Sequence, residues 1–123
     1  MAAPNIVNVT TILGKTSTAD LTTTAQSLVS NAASSGKVFK INTIYVTNID
    51  GTSAADVTVN LYSEDDIGGT GTAIASTVSV PADATVIVVD KNTALYLEED
   101  KSIGAFASGN SDLVAICSYE EIS

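Results

Sequence analysis

The stretch Asn48–Gly69, NIDGTSAADVTVNLYSEDDIGG, decides the fold class because it holds an alternating segment between two turn-rich, acidic borders. Val57, Val59 and Leu61 alternate with residues that tolerate water. Such alternation is typical of a strand with one face in the core and the other towards solvent. The sequence therefore predicts a half-buried strand over Val57–Tyr62.

The segment just before this stretch, KVFKINTIYVT, predicts a second strand over Val38–Thr47. Its apolar phase slips between Ile41 and Ile44. One extra residue in a strand shifts the alternation in this way, so we expect a β-bulge there.

Short strand-like segments separated by turn signals cover the rest of the chain. The further candidates are Asn5–Leu13, Leu21–Val29, Ala73–Val80, Thr85–Asp90, Leu95–Leu97, Ile103–Ala107 and Leu113–Tyr119. This spacing predicts an all-β fold, an antiparallel β-sandwich or jelly roll of about eight or nine short strands. A parallel α/β fold is excluded because no crossover helix separates the strands. At 123 residues, we expect one domain over residues 1–123.

Two segments leave alternatives open. In ADLTTTAQSLVSNAAS, Leu21, Ala25 and Leu28 also fall at helical spacing, although the run of threonines favours a strand. The N-terminal segment, residues 1–18, is β-prone and low in charge. It either forms the first strand of its own sandwich, which we favour, or acts as an arm that adds a strand to a neighbour.

The charge balance excludes several classes of partner. Fourteen acidic residues face five lysines, with no arginine or histidine, and the net charge is −9. Nucleic acids and anionic membrane surfaces are therefore not expected partners, because both are bound through basic residues. The chain also lacks an apolar run of about 18 residues, and its first residues do not resemble a secretory signal.

The residue types present do not support catalysis. Without histidine, the usual general base and the Ser-His-Asp and Cys-His nucleophiles are missing. The glycines of GGTG, Gly68–Gly71, lack the Lys-Ser/Thr of a phosphate loop. Cys117, the one cysteine, is expected to be a small buried hydrophobe rather than a reactive thiol. We therefore expect no enzyme activity and no cofactor.

Acidic clusters are the remaining candidates for chemistry. Carboxylate pairs for glycoside hydrolysis are available at Glu98–Asp100 and at Glu120–Glu121, but strand neighbours point to opposite faces and the sequence has no tryptophan for a sugar platform. The loop around Gly51 fails the EF-hand spacing. A looser calcium site would use the three consecutive carboxylates Glu64, Asp65 and Asp66. A charged hairpin tip that keeps the sheet edge soluble is the favoured alternative.

Two passages resemble a known group of proteins. Leu28–Ser63 combines a strand, a small-residue turn ending in Gly-Lys, a strand ending in Thr-Asn, an Asp-Gly loop and an alternating Val/Thr strand. Ser76–Ser123 adds a Val-Pro-Ala turn, a Leu-Glu-Glu segment and the terminus SYEEI. Together they resemble small virion structural proteins of tailed, marine cyanophage-like bacteriophages over roughly residues 28–123. Asp100 departs from that pattern, since such proteins often have glycine there, as suits a turn with positive φ.

The resemblance implies a non-enzymatic β-sandwich component of a phage virion, assembled in the host cytoplasm. Within that class we expect a capsid decoration or cement protein that binds the major capsid protein on the outer head surface. A homotrimer at local threefold positions is the expected oligomer.

Two alternatives stay open. One is a structural protein of the phage neck, collar or tail. The other is a carbohydrate-binding host-recognition module, for which the tyrosines would be the candidate platform: Tyr45, Tyr62, Tyr96 and Tyr119.

Overall fold

The computed structural model describes residues 7–123, which fold almost entirely into strands. In chain order these are β1 (Ile12–Asp20), β2 (Gln26–Asn31), β3 (Val38–Asn48), β4 (Ala55–Tyr62), β5 (Gly71–Val80), β6 (Thr85–Val89), β7 (Leu95–Leu97), β8 (Lys101–Ala107) and β9 (Leu113–Ile122). A single 3₁₀ turn, Lys91–Thr93, separates β6 from β7, and the described residues contain no α-helix.

The strands form two antiparallel sheets. Sheet A has the order β1-β9-β3-β6, and β7 pairs with β3 on the same side as β6. Sheet B has the order β2-β8-β4-β5. The prediction of an all-β antiparallel sandwich is therefore confirmed.

The pairing is nested along the chain. β4 pairs with β5, β3 with β6 and β7, β2 with β8, and β1 with β9. A long antiparallel hairpin of this kind, with its successive pairs placed alternately in two facing sheets, is a jelly roll.

The core lies between the sheets and is built from the predicted alternation. Val57 and Val59 of β4 are fully buried, and Leu61 packs against the same cluster. The bulge predicted in β3 is also present, because its register with β9 shifts between Ile41 and Thr43. The shift keeps both Ile41 and Ile44 buried despite their unequal spacing.

Two buried asparagines fix the crossings between the sheets. The Asn31 amide donates to the carbonyls of Lys37 and Leu97 at 2.9 and 3.1 Å. The Asn48 amide donates to the carbonyls of Ser53 and Val80 at 3.0 and 2.9 Å. A buried amide requires such partners. Each asparagine therefore holds the loop that follows its own strand to a strand of the other sheet.

Two predicted strand positions were wrong. β1 starts at Ile12, seven residues later than the predicted Asn5–Leu13, of which residues 5 and 6 lie outside the described residues. β1 has no fully buried residue, so it shows no apolar alternation that the sequence would reveal. β2 runs over Gln26–Asn31 rather than Leu21–Val29, because Leu21 reaches the core from a loop and its N–H bonds to the Leu113 carbonyl.

The first strand belongs to the chain's own sheet A. Residues 12–18 of the predicted N-terminal strand or arm lie in β1, which pairs with β9 from Ile12↔Ile122 to Asp20↔Val114. Residues 1–6 lie outside the described part of the chain.

Candidate functional site

The three carboxylates proposed for calcium lie in the β4–β5 loop, which folds over the outer face of sheet B. The Asp65 N–H donates to Asp100 Oδ1, and Asp65 Oδ2 accepts from the Ala33 N–H, both at 3.3 Å. The Asp66 N–H donates to Ser30 Oγ at 2.9 Å. The loop is thus fastened to the β2 and β8 sides of the sheet by its backbone.

The centre of this loop packs on β8. The Ile67 N–H donates to Ser102 Oγ at 2.7 Å, and Ser102 Oγ donates to the Glu64 carbonyl at 2.8 Å. Ile67 adopts a φ of 57°, which is strained for a β-branched residue. A Cβ placed on Gly104 would lie 2.6 Å from Ile67 Cγ2, so only glycine lets the loop sit this close.

These carboxylates do not converge on a common point. Within residues 7–123, no group of three or more acidic or cysteine side chains is arranged to hold a metal ion. The acidic loop is held to sheet B by the protein hydrogen bonds given above.

The carboxylates considered for glycoside hydrolysis are also separated by the fold. Glu120 and Glu121 are successive in β9 and point to opposite faces of sheet A. Glu98 and Asp100 are exposed in the turn between β7 and β8, and one oxygen of Glu99 is buried without a hydrogen-bond partner among the described residues.

Glu121 is the centre of a structural ion cluster. Its Oε2 accepts from Lys15 Nζ and its Oε1 from Lys37 Nζ, each at 2.7 Å. The hydrogen bonds from Lys15 and Lys37 hold the pKa of Glu121 below its ordinary value, and the same bond raises the pKa of Lys15. A carboxylate kept ionised in this way is a poor proton donor, and here it ties β1 and β9 to the segment before β3.

Cys117 lies in the core between the sheets. It is fully buried, and burial raises the pKa of its thiol to about 12. A thiol that stays protonated is neither a nucleophile nor a partner for disulfide exchange.

The four tyrosines lie on different surfaces. Tyr45 and Tyr96 point outward from sheet A, and Tyr62 points outward from sheet B beside Gly104. Tyr119 stacks on Phe39 with ring centroids 5.2 Å apart. The fold does not gather them into one aromatic platform.

A shallow cavity of about 210 Å³ lies at one end of the sandwich. Its walls include Leu21, Ile49, Leu113 and Val114, with Asp20 as the charged group. Cavities that enclose small ligands are usually larger, on the order of 300–1,000 Å³. This one continues the apolar surface described next, since Val114 belongs to both.

The outer face of sheet A carries an apolar surface that crosses β3, β6 and β9. Tyr45 of β3 lies opposite Ile87 of β6 on one side and Ile116 of β9 on the other. Ile87 is 66% exposed. In the adjacent row, Thr47 of β3 lies opposite Val114 of β9. We call Tyr45, Thr47, Ile87, Val114 and Ile116 the outer patch. These five residues are uncharged, and Asp20 of β1 borders them opposite Val114. In a protein of net charge −9 they are the candidate for a functional surface.

The outer patch was not predicted from the sequence. The sequence does not assign Ile87 and Ile116 to the inner or the outer face of their strands, because periodicity alone does not say which of two apolar faces is covered. The run of four apolar residues in TVIVV, with no polar face, was the available signal.

Comparisons with known proteins bear on the fold. No protein-family model matches the chain, and no curated protein matches it. Among solved structures it is similar to a chain from Bacillus endospore appendages, described as a novel family of disulfide-linked pili, with a TM-score of 0.52 and 16% identity. The match covers 92% of this chain and 88% of that chain. At this identity the likeness is one of fold.

Proposed function

We propose that this protein is a non-enzymatic structural subunit of a phage virion, and within that class a decoration or cement protein on the outer surface of the capsid. The observation that carries the proposal is the uncharged outer patch on a strongly acidic jelly roll. A surface of this kind is suited to packing against another protein, while the remaining acidic surface keeps the free subunit soluble.

Several features support a structural role over a chemical one. The candidate carboxylates lie in the β4–β5 loop, in the turn between β7 and β8, and in β9, where Glu121 is paired with two lysines; the one thiol is buried. No helix within residues 7–123 has the length and apolarity to cross a bilayer. The resemblance of residues 28–123 to small virion proteins implies that the assembly is a phage virion. The major capsid protein is then the expected partner and a homotrimer the expected oligomer.

The structural neighbour from endospore appendages is also a subunit of an assembly. Its pili are disulfide-linked, whereas Cys117 here is fully buried and stays protonated. In the proposed assembly, Cys117 therefore does not link subunits through a disulfide.

The deciding experiment is the copy number and position of the protein in purified particles, by quantitative mass spectrometry and cryo-electron microscopy. A decoration protein is expected on the order of hundreds of copies over the whole shell, as symmetry-related sites require. A few tens of copies at one vertex would assign it to the neck, collar or tail. Absence from particles would overturn the virion proposal.

A binding assay with recombinant protein tests the outer patch itself. Ile87→Asp places a charge in the patch at an exposed position, so the variant is expected to fold and to lose binding to expanded capsids. Thr72→Asp, on the exposed edge strand β5, is the matched control and should bind normally. Equal binding by both variants would show that the patch is not the contact.

A further inference from the structure

Among the four edges of the two sheets, β1 alone is long and regular. Its register with β9 runs over nine consecutive pairs without a shift. Such an edge is a template for another strand unless bulges, prolines or charges protect it.

The other three edges are interrupted. β2 has a register shift between Ser27 and Val29. β5 has two shifts against β4, and its Thr77 has a φ of 53°. β6 and β7 are separated by the 3₁₀ turn Lys91–Thr93. These are the devices that block strand addition, and β1 has none of them.

The hydrogen-bonding pattern shows which groups of β1 are open. Thr11 and Ser123 exchange both backbone hydrogen bonds at 2.9 Å, and the Leu21 N–H donates to the Leu113 carbonyl at 2.9 Å. Antiparallel pairs alternate, so the odd-numbered residues of β1 bond to β9. The even-numbered residues point their N–H and C=O away from β9, and no strand of residues 7–123 pairs with that side of β1. These open residues are Ile12, Gly14, Thr16, Thr18 and Asp20.

We propose that β1 pairs antiparallel with β1 of a second copy of this chain, about a two-fold axis at Thr16. In this register Thr16 lies opposite Thr16 of the partner subunit, and Gly14 lies opposite Thr18 of the partner subunit. Each of the five open residues then lies opposite an open, even-numbered residue of the partner strand, and the five pairs form about ten backbone hydrogen bonds. Two copies of sheet A become one continuous sheet.

The charges of β1 permit this contact in a protein of net charge −9. β1 holds one lysine and one aspartate, Lys15 and Asp20, so the strand itself is neutral. The proposed register places Lys15 opposite Ser17 of the partner subunit and Asp20 opposite Ile12 of the partner subunit. No like charges meet, and the Lys15 ammonium is held on the inner side of the sheet by Glu121.

The edge is also sterically open. A Cβ added to Gly14 would meet no heavy atom within 4 Å, and Thr16 and Thr18 are exposed. The strand pairing spans about 30 Å but is one strand wide, so it falls below the roughly 800 Å² per partner of a standard stable interface. The contact is therefore suited to copies already held close together in an assembly. It would join two trimers if the expected trimer forms through other surfaces.

Register-specific disulfide trapping tests the proposal. In the proposed pair, Thr16 and its symmetry mate have Cα atoms about 5.5 Å apart, which a disulfide spans. Thr16→Cys should therefore give a disulfide-linked dimer under mild oxidation at high protein concentration. Thr18→Cys is the matched control, because its mate lies four residues away along the partner strand, about 13 Å. The native protein should give no disulfide-linked dimer under the same oxidation, since Cys117 is buried.

Equal dimer yields from the two cysteine variants would indicate random collision and overturn the proposal, and so would the absence of dimer from Thr16→Cys. A second pair of variants removes the hydrogen bonds. Thr16→Pro deletes an N–H that β9 does not use, so the fold should persist while self-association in concentrated solution by sedimentation equilibrium falls below that of Thr16→Ala. Association of Thr16→Pro equal to that of Thr16→Ala would refute the strand pairing. Neither result bears on capsid binding, which uses the outer patch on β3, β6 and β9.

Discussion

Replacing Glu121 by Gln removes the charge that holds together the ion cluster of β1, β9 and the segment before β3. The Glu121 side chain is 9% exposed, while Lys15 and Lys37 are 44% and 40% exposed. Partly exposed ion pairs contribute about 0.2–1 kcal/mol each. Because two pairs are lost from a mostly buried carboxylate, Glu121→Gln should lower the free energy of unfolding by about 1–2 kcal/mol at neutral pH.

The effect should depend on pH in a defined direction. The hydrogen bonds from Lys15 and Lys37 hold the pKa of folded Glu121 below its ordinary value of 4.5. The stability that comes from this carboxylate is therefore complete above the unfolded pKa and is lost as the pH falls through the folded pKa. The difference between the native protein and Glu121→Gln should shrink towards zero in acid.

Urea denaturation at pH 7 and at about pH 3 measures both quantities. Glu120→Gln is the matched control, since Glu120 is the next residue, lies on the opposite face of β9 and has no salt bridge within residues 7–123. It should change stability by less than about 0.5 kcal/mol. A loss from Glu121→Gln that equals the control, or that persists unchanged in acid, would refute the reasoning.

Three further predictions concern packing and backbone geometry. Val59→Asp places an unpaired carboxylate in the core and should lower the free energy of unfolding by several kcal/mol or prevent folding, whereas Thr58→Asp on the outer face of sheet B should fold. Equal denaturation midpoints for the two variants would contradict the assignment of Val59 to the core face of β4. Gly104→Ala should lower the free energy of unfolding by about 1–3 kcal/mol, because the new Cβ would lie 2.6 Å from Ile67 Cγ2. Adding Ile67→Ala should recover part of this stability; a loss of stability that the second change does not alter would place the clash elsewhere. Asp100 has a φ of 58°, so Asp100→Gly should be more stable than Asp100→Ala by about 1 kcal/mol in thermal unfolding, and equal stabilities would argue against that backbone conformation.

The strands with one buried face were predictable from the sequence. In β4, Val57 and Val59 alternate with polar residues and are fully buried, and in β3 the slipped spacing of Ile41 and Ile44 marks a bulge that is present. In each case the local pattern and the tertiary environment agree.

The features that were missed depend on contacts between distant segments. β1 was misplaced because an edge strand exposed on both faces carries no alternating pattern, as in Gly14, Thr16 and Thr18. The anchoring of the acidic loop depends on Ser102, which is 38 residues from its acceptor on Glu64. The outer patch depends on the register between β3, β6 and β9, which no local pattern specifies.

The nested pairing also sets the order in which the chain can fold during biosynthesis. β9 lies between β1 and β3, yet among the described strands it is synthesised last. Sheet A therefore lacks β9 until residues 113–122 have been synthesised, while the β4–β5 hairpin can form early because its pairing is local. Completion of sheet A thus requires contacts between strands that are far apart in the sequence. Until then β1 has no β9 to pair with, and the net charge of −9 provides the repulsion that opposes premature association of nascent chains.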